Sequence, residues 1–363
     1  MSLSSRPPFW RSLPHLISTS VIYDLKSPYS HCFSLPLPPF RETQLVHQRE
    51  PEDIIPSTST VKSEPLDDLV PQPPAPNSIE LRVNDRGVVG LKRQHRDVEK
   101  TLQLALDYYY GFHLTKHSYP DVAKKNQFAL DALTNAAFDQ DFQNIHDRIS
   151  TDTDYCEGLA SVLAGRISTF RRGAKDAAVA AIFRQYAVQQ DCAGLVGRLL
   201  AGQSYIYPHH PDKVNPRDHQ VEHGQAIGSQ PYEHPGVAAV IGAAFFKGSN
   251  SIAEKIEAMF PRHEGHLEIT KPMLALACAG IHDVLNDYST GEYKDTKFEG
   301  SRVQDIYDVH ILMLDHIETK NPDKFHDLMA SIFTAASRGS SLAKVSKAPP
   351  TLLQQEALAK LDI

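Results

Sequence analysis

The chain has 363 residues, enough for one large domain or two ordinary ones, and carries 37 Lys plus Arg against 44 Asp plus Glu for a formal net charge of −7. That balance excludes a polybasic, histone-like binder of nucleic acid and leaves only local basic patches for such a role. No apolar run is long enough to span a bilayer. Cysteine occurs only at Cys32, Cys156, Cys192 and Cys278, with no CxxC pair and no N-x-[ST] sequon, which points to a reducing, intracellular setting rather than a disulfide scaffold or zinc ribbon.

Proline marks the first boundary. Fourteen of the 25 prolines fall in residues 1–76, and the stretch Pro51 to Pro76 is Pro, Ser, Thr and acid without an apolar period. Such sequence cannot bury enough surface to offset its ordering entropy, so residues 1–94 are expected to be a disordered tail. Arg6 and Arg11 among serines, with no acid before Asp24, resemble the composition of a mitochondrial presequence. Pro7, Pro8 and Pro14 would break the helix a presequence needs, and a plain tail is the preferred reading. Within the tail, Val61-Lys62-Ser63-Glu64-Pro65 resembles the acceptor site for the small ubiquitin-like modifier, making Lys62 a candidate modification site and the nucleus the favoured location over the cytoplasm. Weak alternation at Ile79, Leu81 and Val83, followed by Asn84-Asp85-Arg86-Gly87, allows a short hairpin.

From about residue 95 the pattern is helical. Leu102, Ala105, Leu106, Tyr109, Phe112 and Leu114 recur at helix spacing, and Pro120-Asp121 starts a second helix through Phe128, Ala132 and Ala136. Residues 155–170 and 174–188 read as two helices, or as one broken at Gly173, with a short helix from Leu195 to Leu200 after them. His234-Pro235 opens the second half. Val237 to Phe246 is apolar nearly all round, and Ser251 to Glu254 matches a capping box on a helix that ends at Pro261. Met273 to Ile281 predicts a central core helix. Stripes through Val303, Ile306, His310, Met313, Leu314 and Ile317, and through Phe325, Leu328, Met329, Ile332 and Phe333, predict two more, closed by Gly339. The fold class expected is all-α: a multi-helix globular domain over 95–340, its halves joined by a loop at 208–232, with a C-terminal tail at 341–363 that allows a short helix.

Several strings in the second half are more particular. Gln230-Pro231-Tyr232-Glu233-His234-Pro235-Gly236-Val237, Met273-Leu274-Ala275-Leu276, Tyr288-Ser289-Thr290-Gly291 and the helix through Tyr307 and His310 together resemble the domain of unknown function 6532, known mainly from mushroom-forming fungi. The resemblance would cover roughly residues 95–338 and implies a fold. It implies no reaction, cofactor or catalytic residue.

The sharpest chemical motif is His219-Gln220-Val221-Glu222-His223. On a helix, H-x-x-E-H sets two imidazoles on one zinc ion and a glutamate beside the bound water, the arrangement of a metal-dependent hydrolase. Here the motif lies between Pro216 and Gly224 with Val221 as its one aliphatic residue, so no buried face would hold His219 and His223 rigid. A solvated, His-rich loop with adventitious metal affinity is the expected state. Asp283 and Asp287 sit four apart on the central helix and could bind a divalent ion or divide acid and base roles, but the same spacing describes a solvated helix edge, which is the expectation. His310, on an apolar stripe, is expected to be a buried, hydrogen-bonded histidine, and Cys156, Cys192 and Cys278 to be structural thiols.

Arg166, Arg171, Arg172, Lys175 and Arg184 against Glu157 and Asp176 make 155–188 basic and offer a face for phosphates, though without interleaved aromatics for stacking on bases. A second basic run comprises Lys92, Arg93, Arg96 and Lys100. Phosphate-loop, dinucleotide-binding and serine-hydrolase signatures are absent, and no cofactor is called for. The function expected is a non-enzymatic intracellular interaction module with a macromolecular partner and no membrane. The metal-dependent hydrolase and a nuclear, nucleic-acid-associated factor using the 166–184 face stand as alternatives.

Overall fold

A computed structural model of the chain describes residues 79–344, except 190, 215–220, 223 and 299. Lys62, His219, His223, most of the N-terminal tail and nearly all of the C-terminal one lie outside the described residues. Ten α-helices and four two-residue strands make up the described fold, which is all-α as expected. None of these helices is long and apolar enough to cross a membrane.

Helix starts follow local chemistry. α1 (Arg96–Thr115) leads into α2 (Val122–Asp139), where Asp121 Oδ1 accepts the Lys124 N–H at 2.8 Å. α3 (Gln143–Thr151) is a short amphipathic helix that buries Ile145 and Ile149. α4 runs unbroken from Thr153 to Tyr186, 34 residues or roughly 50 Å at 1.5 Å per residue, and Asp152 caps it. No break occurs at Gly173. A glycine inside a helix costs about 1 kcal/mol, which burial on both sides of it, at Ile167, Ala174, Ala177 and Ala178, outweighs.

α5 (Ala193–Leu200) and a 3-10 segment (Ala201–Ile206) follow. The expected loop at 208–232 is folded back on itself: the backbone of β1 (Lys213–Val214) pairs with that of β2 (Val221–Glu222), and His209 bridges Ala226. Val221 and Glu222 are therefore in a strand, not a zinc-binding helix. The apolar run after His234-Pro235 forms α6 (Pro235–Ile241) and then a π-helical turn (Gly242–Phe246). α7 (Ile252–Lys255) is a single turn. Ser251 Oγ accepts the Glu254 N–H at 3.3 Å, while the Glu254 carboxylate accepts the Asn250 N–H at 2.8 Å. A tight hairpin of β3 (Arg262–His263) and β4 (His266–Leu267) leads to α8 (Lys271–Asp287), followed by α9 (Gly300–Lys320) and α10 (Pro322–Ala336).

Two apolar clusters share the core. One joins α1 to α3 and the first half of α4; the other joins the second half of α4 to α5, α6, α8, α9 and α10. The seam runs across α4 near Phe170, whose ring stacks on Tyr110 at 4.2 Å and also meets Phe245. The two clusters therefore meet along one continuous helix. α8 is the centre: of its 17 residues only Lys271, His282 and Asn286 escape full burial, and it packs on α1, α4, α5, α6 and α9.

Candidate functional site

Asp283 and Asp287 are not on a solvated edge. Each is 3 % exposed, because α4 lies directly across from them. Gly280 permits this approach: a Cβ there would sit 3.0 Å from the Ala174 backbone carbonyl. Lys175, 1 % exposed, enters between the carboxylates, with Nζ 3.0 Å from Asp283 and 2.6 Å from Asp287, and donates to the Thr296 carbonyl at 2.6 Å. The Arg302 guanidinium reaches Asp283 from α9 at 2.6 Å, and the Thr296 hydroxyl donates to Asp287 at 2.5 Å. Burial pushes the Asp283 carboxyl up, opposed by Lys175 and Arg302. For Lys175, burial disfavours the ammonium, but the two carboxylates outweigh it and its pKa is raised. Every charge here faces an opposite charge inside the protein. The constellation fastens the 288–298 segment onto α4 and α8, and its functional groups are occupied by one another.

His310 is fully buried, as the apolar stripe predicts. Tyr205 Oη lies 2.7 Å from Nε2 and Tyr232 Oη 3.0 Å from Nδ1. One neutral tautomer satisfies both: Nδ1–H donates to Tyr232 and Nε2 accepts from Tyr205. Burial, with His282 nearby, holds the imidazole down at about 3. Burial likewise pushes the thiols of Cys156, Cys192 and Cys278 up, away from the thiolate a nucleophile needs, so all three fit structural roles.

The basic stretch of α4 does not form one face. Lys175 is internal, Arg171 stacks over the Tyr119 ring at 4.3 Å, and Arg172 pairs with Asp176 and Asp295. Arg166 behaves differently. It joins Arg82, Lys92 and Arg93 around an open cavity of about 310 Å³, completed by Asn84, Val88, Gly90 and Leu91.

Local bonds fix the walls of that cavity. Asn84 Oδ1 accepts from the N–H groups of Arg86 and Val88, both at 2.9 Å, closing a turn between the bridged Val83 and Val89. The 6 % exposed Gln94 side chain accepts the Arg82 N–H at 2.9 Å and donates to the carbonyls of Arg82 and Gly90. The weak hairpin expected at 79–91 is thus a single bridge, braced from below by Gln94. All four cations are exposed, and none has a carboxylate of the described residues within 4.0 Å. Sequence separates Arg82 from Arg166 too widely to place them together; the one hint is that both basic runs stand next to predicted helix starts or faces.

The sequence profile of the Domain of unknown function (DUF6532) matches residues 104–317. The chain belongs to that family. Among curated proteins and among solved structures, none matches it. The DUF6532 span runs from within α1 to within α9, so the Lys175–Asp283–Asp287 cluster and His310 lie inside it, whereas Arg82, Lys92 and Arg93 precede it. In this DUF6532 protein the basic cavity therefore takes only Arg166 from the matched span.

Proposed function

We propose that this DUF6532 protein is a non-enzymatic, intracellular interaction module that docks a negatively charged partner at the Arg82–Lys92–Arg93–Arg166 cavity. The observation that carries this reading is the gathering of four cations, without a carboxylate partner among the described residues and from three separate pieces of chain, around one concave surface. Cations elsewhere in the fold, such as Lys175, Arg172, Lys271 and Arg302, are matched by carboxylates. Like charges left together repel, so an arrangement of this kind is stabilised by an anion brought from outside. Guanidinium forks suit carboxylate and phosphate groups, which present paired oxygens in a plane. With a net charge of −7, attraction of an anion depends on local patches such as this one. The Lys62 acceptor-like sequence favours a nuclear setting for the module.

The test is retention of the purified full chain on immobilised heparin, a polyanion, over a salt gradient. Arg93→Glu/Arg166→Glu should elute at clearly lower salt than wild type, while the charge-matched Arg184→Glu/Arg198→Glu should shift much less. Equal shifts in both double variants, or none in the first, would remove the cavity from consideration.

A further inference from the structure

After Pro261 the chain doubles back through two residues. β3 pairs antiparallel with β4 so that His263 stands directly opposite His266, with Glu264 (φ 49°) and Gly265 (φ 85°) both in left-handed backbone. That is the turn geometry whose twist matches a tight hairpin. Glycine adopts it freely, and glutamate does so at a cost that the hairpin imposes. Directly opposed residues share a face of the ribbon, so both imidazoles project the same way. The chain then turns inward at Glu268, which is 3 % exposed.

From the first turns of α10 comes His326. Its Nδ1 lies 2.9 and 3.1 Å from the two Glu268 oxygens, and its ring stacks on that of His263 with centroids 3.8 Å apart and planes 4° from parallel. One ligating atom from each of His263, Glu268 and His326 lies within 4.8 Å of the other two. Beside them in the hairpin, His266 Nδ1 is buried without a hydrogen-bond partner among the described residues. A buried carboxylate, two imidazoles against it and an unsatisfied third imidazole are more polar groups than packing a hairpin onto a helix requires.

We propose that His263, Glu268 and His326 form a zinc(II) site, with water in the fourth position and His266 beside it. Two imidazole nitrogens and one carboxylate oxygen are an established zinc donor set. Tetrahedral zinc at about 2.1 Å from each ligand holds the ligand atoms about 3.4 Å apart. The Glu268–His326 contact already approximates that separation. Imidazole lone pairs lie in the ring plane, so stacked rings do not aim at a common point. His263, exposed at the end of a two-residue strand, swings out of the stack to complete the set, while Glu268 and His326 hold their places. Zinc at His326 Nδ1 takes the place of the hydrogen between that nitrogen and Glu268: in the neutral imidazole the proton moves to Nε2, and from the imidazolium it is released to solvent. The ion's effect is to pin the β3–β4 hairpin to α10.

The experiment uses the full chain stripped with chelator, then titrated calorimetrically with zinc chloride and, separately, with cobalt(II) read by its visible absorption. One equivalent of zinc should bind to wild type and to His219→Ala/His223→Ala alike. His263→Asn, at a surface position that leaves the core intact, should weaken binding by about ten-fold or more and abolish the cobalt bands, and Glu268→Gln should do the same if it folds. Binding unaffected by His263→Asn would overturn the proposal, leaving a Glu268–His326 hydrogen bond beside a stacked ring. Loss of binding in His219→Ala/His223→Ala, or no binding by wild type, would also overturn it.

Discussion

Lys175 on α4 meets Asp287 on α8 at 2.6 Å with both side chains sealed from water. Lys271 meets Glu318 at the same 2.6 Å, yet in the solvent-accessible margin of the fold. Equal distances conceal unequal consequences. Removing one partner of an internal pair leaves an uncompensated buried charge, a loss of about 3–5 kcal/mol, whereas an exposed pair contributes about 0–1 kcal/mol. We predict that Lys175→Met lowers the stability measured by urea unfolding by several kcal/mol and that Lys271→Met changes it by less than about 1 kcal/mol. Similar losses in the two variants would show that water reaches Lys175.

The two glycines flanking this junction should respond in opposite directions to the same substitution. At Gly280 a methyl group would press on the Ala174 and Lys175 backbone at 3.0–3.2 Å, and main chain cannot step aside as a flexible side chain can. At Gly173 none of the described residues lies within 4 Å of the added carbon. Gly280→Ala is predicted to destabilise by about 1–3 kcal/mol through overpacking. Gly173→Ala is predicted to stabilise by up to about 1 kcal/mol through helix propensity. Thermal melts of the two variants beside wild type decide it, and a stabilised Gly280→Ala would mean that α4 and α8 lie farther apart than described.

The contrast between these glycines also marks what could be read before the fold was known. Gly173 resembles a helix breaker in isolation, and only the packing of Ala174, Ala177 and Ala178 against α8 overrides that weak local preference. Caps are settled within a few residues, so Asp121, Ser251 and His234-Pro235 announced their helices. Burial of His310 was legible from its apolar stripe. Asp283 and Asp287 were not legible, because their burial depends on Lys175 in another helix, and nothing adjacent in sequence signals it. The same holds for both candidate binding sites. Arg82 and Arg166 converge on one cavity, and Glu268 and His326 on one contact, only after the helices have packed.

Stability should fall in mild acid. Burial is the main cause that holds His310 and His113 down at about 3 and His234 at about 4, with His282, Arg171 and His209 respectively adding charge repulsion. All three are expected near 6.5 in the unfolded chain. Between those limits the unfolded state binds protons that the folded state excludes, so the unfolded state gains as pH falls. The contribution is fully present above about pH 6.5 and is lost progressively toward pH 3–4. Each histidine adds a slope of about 1.4 kcal/mol per pH unit, so the three together supply about 4. Over the whole window the three supply about 13 kcal/mol at most, enough to remove most of a typical domain stability of about 5–15 kcal/mol by about pH 4. We predict a urea midpoint that is flat between pH 8 and 7 and drops steeply from pH 6.5 to pH 5. A midpoint unchanged at pH 5 would show that these imidazoles accept protons without unfolding, and that the Tyr205–His310–Tyr232 contact is open to water.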